Sequence, residues 1–480
     1  MARLALLAAL LGVLFVPPAY AGGPELRVGA AEDVVKKPTL PAAKAQLQLL
    51  RLAGLDTVRI TAIWEPGLTE PRPTEAAKIS NAVTAANMLG VKVVVAVYHP
   101  SSATTPLSDE SQDEFVAFAA GLAREHRSIE DVIVGNEPNL NRFWLPQFDE
   151  TGASASPAAY IALLARTYDA LKEVSPAITV WGGSVSPRGT DNAFGLRPSH
   201  SPTTFIRGLG EAYRESDRTL PVMDGLAIHP YGDNSSQAPS ASAHPRKTSV
   251  GLADYSKLVA LLAEAFDGTA QAGSTLPILY DEFGVESTLP IDKTQLYTGL
   301  EPVATKPVDP VIQAAYYREA VQLAFCQPNV RGLLLFHTVD ELDLNRWQSG
   351  LYYADGTPKA SLPSVRRAAS ESRRGVVAAC PGLALRPKLL RAVWPAGGSP
   401  SRPVEVMLSC SLDCAGTISA LTEPGGRRVA VVAVRQAGRA VRRRTIGPLP
   451  PGRYRLRLSL RAPVNPGPTV GRRSPPFTIR

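Results

Sequence analysis

The chain has 480 residues, too many for one ordinary domain and enough for a large domain with a small one behind it. Its formal charge of +8 belongs to one segment: residues 381–480 carry 18 Lys and Arg against Glu405, Asp413 and Glu423, or +15, which leaves −7 elsewhere. No nucleic-acid-binding motif accompanies that charge, so nucleic acid is excluded; adhesion to an anionic polymer or cell surface and an Arg-rich solvated face both stay open.

In chain order, Met1-Ala2-Arg3, an apolar run over Leu4–Val16 and Ala19-Tyr20-Ala21 form a signal peptide, residues 1–21. The run is too short to span a membrane and no later stretch is long enough, so a secreted, soluble protein is expected. Short β-branched runs then recur at Leu26–Gly29, Thr57–Ile63, Val91–Val97, Val132–Val134, Ile178–Trp181, Gly225–Ile228, Pro277–Leu279 and Gly332–Phe336. Between and after them, apolar residues at three- and four-residue spacing predict helices over Ala43–Ala53, Glu75–Leu89, Gln112–Glu125, Pro157–Val174, Tyr255–Phe266, Ile312–Phe325 and Leu362–Arg373. Eight alternating strands over about 350 residues have the count and length of a (β/α)8 TIM barrel, expected over residues 22–380. The open-sheet alternative lacks a Gly-rich turn after the first strand. Beyond Cys380 the pattern becomes period two, as in Val404–Leu408, Arg428–Val432 and Tyr454–Leu460. Residues 381–480 therefore read as a small all-β sandwich of immunoglobulin or fibronectin type, either a carbohydrate-binding module or a spacer.

All four cysteines follow the leader, which suits two disulfides, Cys326–Cys380 and Cys410–Cys414. Zinc is the rival reading, but no second close Cys or His pair accompanies Cys326.

Polar residues gather at the ends of the predicted strands: Arg59 and Trp64, Tyr98 and His99, Asn136 and Glu137, His229 and Tyr231, Asp281 and Glu282, and His337. Each alone has a structural explanation, but jointly they describe a polar pocket at the C-terminal mouth of a barrel. Strands four and seven face each other across that mouth, so Glu137 and Glu282 form a carboxyl pair, the requirement for hydrolysing a glycosidic bond. Arg59 supplies the positive charge that suits an ionised Glu282, which leaves the acid role to Glu137. Asn136 is placed to donate to a sugar 2-hydroxyl.

On these motifs the chain resembles the clan of retaining glycoside hydrolases with (β/α)8 barrels that includes families 5 and 39. The resemblance implies Glu137 as acid/base and Glu282 as nucleophile, with Arg59, His99, His229 and Tyr231 around them. It also implies a Trp at the tip of strand eight, where this chain has Leu335-Phe336-His337; the nearest is Trp347 in the loop beyond. Trp64, Phe143, Trp144, Tyr352 and Tyr353 fall in mouth loops and are candidate platforms for sugar rings. Asp281, Glu286, Asp340, Glu341 and Asp343 read mostly as solvated loop charges. The expected function is retaining hydrolysis of an oligo- or polysaccharide, with no metal or cofactor required. The alternatives are transglycosylation and non-catalytic polysaccharide binding on the same scaffold.

Overall fold

The structure is a computed structural model that describes residues 22–480 apart from Ala379 and Gly382. The expected leader lies outside the described residues. Among those described, no helix is long and apolar enough to cross a membrane. All eight expected strands are present: β1 (Arg27–Ala31), β2 (Thr57–Ile63), β3 (Lys92–Tyr98), β4 (Asp131–Val134), β5 (Thr179–Val185), β6 (Gly225–Ile228), β7 (Ile278–Phe283) and β8 (Val330–Leu335). Each pairs in parallel with the next and β8 closes on β1, so the sheet has no free edge. The β-branched runs are buried on both sides. Val94, Ala96, Ile133, Trp181, Ala227, Leu279 and Leu334 fill the barrel, while the other face packs against the helices. Deep in the barrel Asp131 accepts from Arg27 Nη1 (2.6 Å) and from Trp181 Nε1 (2.9 Å), so this buried acid is doubly satisfied.

The helices are α1 (Leu40–Leu52), α2 (Pro73–Leu89), α3 (Asp109–Glu125), α4 (Ser156–Val174), α5 (Pro202–Glu215), α6 (Tyr255–Phe266), α7 (Pro310–Phe325) and α8 (Ser361–Arg374). Seven were expected; α5 was not. Ser201 caps it and Phe205, Ile206, Leu209 and Tyr213 form its buried stripe, but Gly208 and Gly210 lower its intrinsic propensity. Those glycines have a packing reason. A Cβ on Gly210 would lie 2.5 Å from the Ala265 carbonyl oxygen on α6, and one on Gly208 2.7 Å from the Pro157 ring on α4.

The C-terminal region is all β. It comprises β9 (Leu389–Val393), β10 (Gly397–Gly398), β11 (Val404–Cys410), β12 (Cys414–Thr422), β13 (Arg428–Gln436), β14 (Arg442–Ile446), β15 (Gly452–Arg461), β16 (Val470–Arg473) and β17 (Phe477–Ile479). One sheet runs β10-β17-β15-β12-β13 with β16 also on β15; the other runs β14-β11-β9. Pairing is antiparallel except between β10 and β17. Val406 and Leu408 of one sheet and Ile418, Leu456 and Leu458 of the other share one core.

This unit docks at the end of the barrel where the strands begin. Leu383, Leu385, Leu412 and Ala462 belong to the same apolar core as the barrel and its helices. Lys388 pairs with Glu25 just before β1, and Arg374 at the end of α8 pairs with Asp413. Cys326 after α7 is bonded to Cys380, and Cys410 to Cys414 between β11 and β12. No described cysteine is left free to ligate a metal.

Candidate active site

Arg59 inside β2 and the C-terminal ends of β4, β5, β6 and β7 converge on one cluster. Arg59, 3% exposed, donates from Nη1 to Glu282 Oε1 (2.7 Å) and from Nη2 to the Asn136 side-chain oxygen (3.0 Å). Its Nε lies 3.4 Å from Asp281 Oδ2. Tyr231 donates its hydroxyl to Glu282 Oε2 at 3.0 Å, so both oxygens of that carboxylate are held. Glu137 is held at one oxygen, by His229 Nδ1 at 3.0 Å, and the same nitrogen is 3.6 Å from Glu282 Oε2. One imidazole nitrogen thus touches both acids. Their side chains stay 17% and 13% exposed, whereas that of Asp281 is 0% exposed.

Local backbone places these groups. Glu137 has φ 44°, a region costly for a side chain with a Cβ, and its N–H donates to the Ser184 carbonyl at 2.9 Å. Ser184 has φ 47° and follows Gly183, φ 93°, at a break in the β5–β6 register. A Cβ on Gly183 would sit 2.9 Å from Leu226 Cδ1 and 3.0 Å from the Ala227 carbonyl oxygen. The bulge turns the Ser184 hydroxyl inward, where it donates to Asp281 Oδ2 (2.7 Å) and accepts from His229 Nε2 (2.9 Å). Tyr160 of α4 locks the two strand ends together, donating to the Val134 carbonyl and accepting from the Gly183 N–H, both at 2.6 Å.

The electrostatics follow from burial among opposite charges. Burial alone would discharge His229, but Glu282 and Asp281, with hydrogen bonds to Asp281 and Glu137, push it up to about 10. Burial likewise opposes the charge on Arg59, and Glu282 and Asp281 raise it nonetheless. Asp281, which burial would push up, is held below the usual carboxylate range by His229 and Arg59. The Tyr231 hydroxyl is driven well above its ordinary value by burial and by Glu282, so it remains a donor. Tyr98 is pushed up to about 12 by burial, the largest cause.

His337, whose Nδ1 lies 2.8 Å from the Ala31 carbonyl, is raised to about 9, Glu341 and Glu32 outweighing burial. A histidine raised in the folded state stabilises most below its ordinary 6.5, and that stabilisation is lost as pH climbs through the raised value. Urea titrations are therefore expected to show stability falling by up to roughly 1.4 kcal/mol per pH unit for each ring, between pH 7 and 9 for His337 and on to pH 10 for His229. A flat profile over that range would contradict the charged cluster.

The structure brings Arg59, Asn136, Glu137, His229, Tyr231 and Glu282 together. Trp347 joins them: its ring lies 5.0 Å from that of Tyr231, tilted 30°, and edge-on to Phe336 at 5.3 Å. The loop Trp therefore stands beside the tyrosine that grips Glu282, although the residue that follows β8 is Phe336. His99 is buried at the rim, its Nδ1 2.8 Å from the Ser101 carbonyl, and burial keeps it below its ordinary value.

Four of the five platform expectations are corrected. Trp64 (0% exposed) packs edge-on to Phe115 and donates to the Leu68 carbonyl, while Trp144 (1%) is wedged between His99 and Tyr160. Neither offers a face to a sugar, and Tyr352 and Tyr353 are buried too. Phe143 alone of that group is half-buried, edge-on to Tyr98 at 6.5 Å.

Asp281, Glu286 and Asp340 are not solvated loop charges either. Asp340 forms a fully buried pair with Lys359 (2.7 Å), which also donates to Ser287 Oγ and the Gln348 carbonyl and so ties the β7 and β8 loops together. Burial and Glu301 push Glu286 up to about 7. Sequence reasoning missed Ser184 and Tyr160; the Gly182-Gly183 pair inside a strand was the available sign of a bulge.

No family model matches the chain, and no curated protein matches it. Solved structures do. A GH5_18 protein from Streptomyces cattleya, in complex with GlcNAc, superposes with a TM-score of 0.51 at 15% identity, over 79% of this chain and 84% of that one. A GH39 enzyme from Xanthomonas axonopodis pv. citri gives 0.47 at 13% identity, over 89% and 93%. A calcium-binding mutant of β-glucuronidase 2 from Bacteroides uniformis gives 0.44 at 13%, over 96% of this chain; the chain spans 46% of its length. At these identities the likeness is one of fold alone.

Proposed function

We propose that the protein is an exported retaining glycoside hydrolase acting on an oligo- or polysaccharide. The observation that carries this reading is the carboxyl pair sharing His229 Nδ1. Oxygens 3.0 and 3.6 Å from one atom are at most about 6.6 Å apart, a bound that holds the ~5–5.5 Å of retaining pairs and reaches only the lower edge of the ~6.5–9.5 Å of inverting ones. Export is supported by the leader pattern and by the two disulfides.

Glu282, with both oxygens held by Arg59 and Tyr231, is the fixed carboxylate suited to attack the anomeric carbon. Glu137 has one oxygen without such a partner and is suited to deliver a proton. In the first step Glu282 bonds to the anomeric carbon as the glycosidic C–O bond breaks, and the Glu137 proton goes to the leaving oxygen. In the second, Glu137 takes a proton from water, whose oxygen displaces Glu282. The hydrogen bond from Arg59 fixes the Asn136 oxygen and leaves its NH2 to donate to a sugar 2-hydroxyl. Trp347 against Tyr231 is the flat surface suited to the reacting sugar.

Proton NMR of the first-formed product of an aryl β-glycoside is the direct test. The β-anomer is expected to appear first and then mutarotate. Initial release of the α-anomer would refute double displacement.

A further inference from the structure

We propose that the outer face of the six-stranded C-terminal sheet binds a carboxylate-bearing polysaccharide, a polymer of uronic acids, through paired arginines. This goes beyond the hydrolase reading and does not depend on it. Along β15 the side chains alternate: Tyr454, Leu456, Leu458 and Leu460 point into the core, and Arg453, Arg455, Arg457 and Arg461 point out. The register extends that outer row sideways. Arg473 of β16 stands directly opposite Arg457, and Arg461 and Arg435 flank Ala415 of β12 in one cross-strand line.

Like charges directly opposite on one sheet face repel, so this arrangement is unfavourable without an external anion. The face does not supply one. Glu423 is taken by Arg455, and the other acids of the region pair elsewhere, Asp413 with Arg374 and Glu405 with Arg443. Among the described residues Arg435, Arg457, Arg461 and Arg473 are exposed with no carboxylate in ion-pair reach.

Between these arginines the sheet carries small or hydroxyl side chains, Ala415, Thr417, Ser459 and Ala433, with Val431 exposed on β13 at the edge of the face. Strand geometry sets Arg457 and Arg473 about 5 Å apart on neighbouring strands, Arg435 and Arg461 about 10 Å apart across β12, and Arg457 and Arg461 about 14 Å apart along β15. Repeated forks at such spacings match carboxylates repeated along an extended polymer better than one small anion. No aromatic side chain projects from the face to stack a base or enter a lipid interface, which favours an acidic glycan over single-stranded nucleic acid or membrane. The docking of this domain at the start of the barrel strands keeps the face apart from the mouth where Glu137 and Glu282 lie.

Affinity electrophoresis of the full chain through gels containing polygalacturonate tests this, with uncharged amylose, DNA and anionic lipid vesicles as comparison probes. Polygalacturonate is expected to retard the wild type, and Arg457→Ser/Arg473→Ser to weaken binding about tenfold or more. Arg443→Ser, which alters an ion-paired arginine on the other sheet, is expected to bind as the wild type does. Because the double variant removes a repulsion, its unfolding midpoint is expected to be no lower than wild type. Arg461→Ser is the second variant and should weaken binding by itself. Absence of retardation, equal retardation of the arginine variants, or equally tight binding to DNA or vesicles would each overturn the proposal.

Discussion

Replacing Glu282 with alanine is expected to lower hydrolysis of an activated aryl β-glycoside on the order of 10⁴-fold or more. The variant removes the one carboxylate whose two oxygens are both held, by Arg59 and Tyr231. Azide should then enter the vacated space and give the α-glycosyl azide. Glu137→Ala is expected to behave differently. An activated leaving group needs little proton assistance, so the first step persists and the glycosyl-enzyme accumulates for want of a base. Azide should rescue that variant and give the β-glycosyl azide, because it attacks after the first inversion. The opposite product pattern would exchange the two roles, and near-normal hydrolysis by Glu282→Ala would end the hypothesis.

Asp281→Ala is expected to be the most destabilising single change in the cluster, by about 3–5 kcal/mol, the typical cost of stranding a buried charge. Asp281 Oδ2 accepts from Ser184 at 2.7 Å and lies 3.3 Å from His229 Nε2 and 3.4 Å from Arg59 Nε. Its other oxygen is buried without a partner. Removing it leaves two buried cations facing one fewer anion. Asp281→Asn should cost less, since the amide oxygen can still accept from Ser184. Guanidinium denaturation at pH 7 measures both, and an unchanged midpoint for the alanine variant would contradict the charge balance drawn here.

The barrel was legible because β-branched runs and helical spacing leave a periodic signal, and because chemistry sits where such runs end. Asn136-Glu137 and Asp281-Glu282 stood out for that reason. Helix α5 was hidden by Gly208 and Gly210, residues that read as breakers until the neighbouring helices explain them. Ser184 lay past a Gly-Gly pair where the strand pattern lapses. Trp64 and Trp144 were misjudged because a loop position in sequence does not say which way an indole turns. Asp340 and Lys359 are 19 residues apart, and nothing in that spacing announces a pair buried between two loops.

The way the C-terminal region meets the barrel bears on how the chain comes apart. Leu383, Leu385, Leu412 and Ala462 are packed into the barrel's own apolar core, and the Cys326–Cys380 bond crosses toward the same junction. An appended module joined by a loose tether would melt independently. Here, opening the β region uncovers part of the apolar layer between the barrel strands and their helices, so the two are energetically coupled and cooperativity extends across the boundary. The second region is thus an integral part of the folding unit, and a barrel cut free just after Cys380 begins its life with an unsealed base.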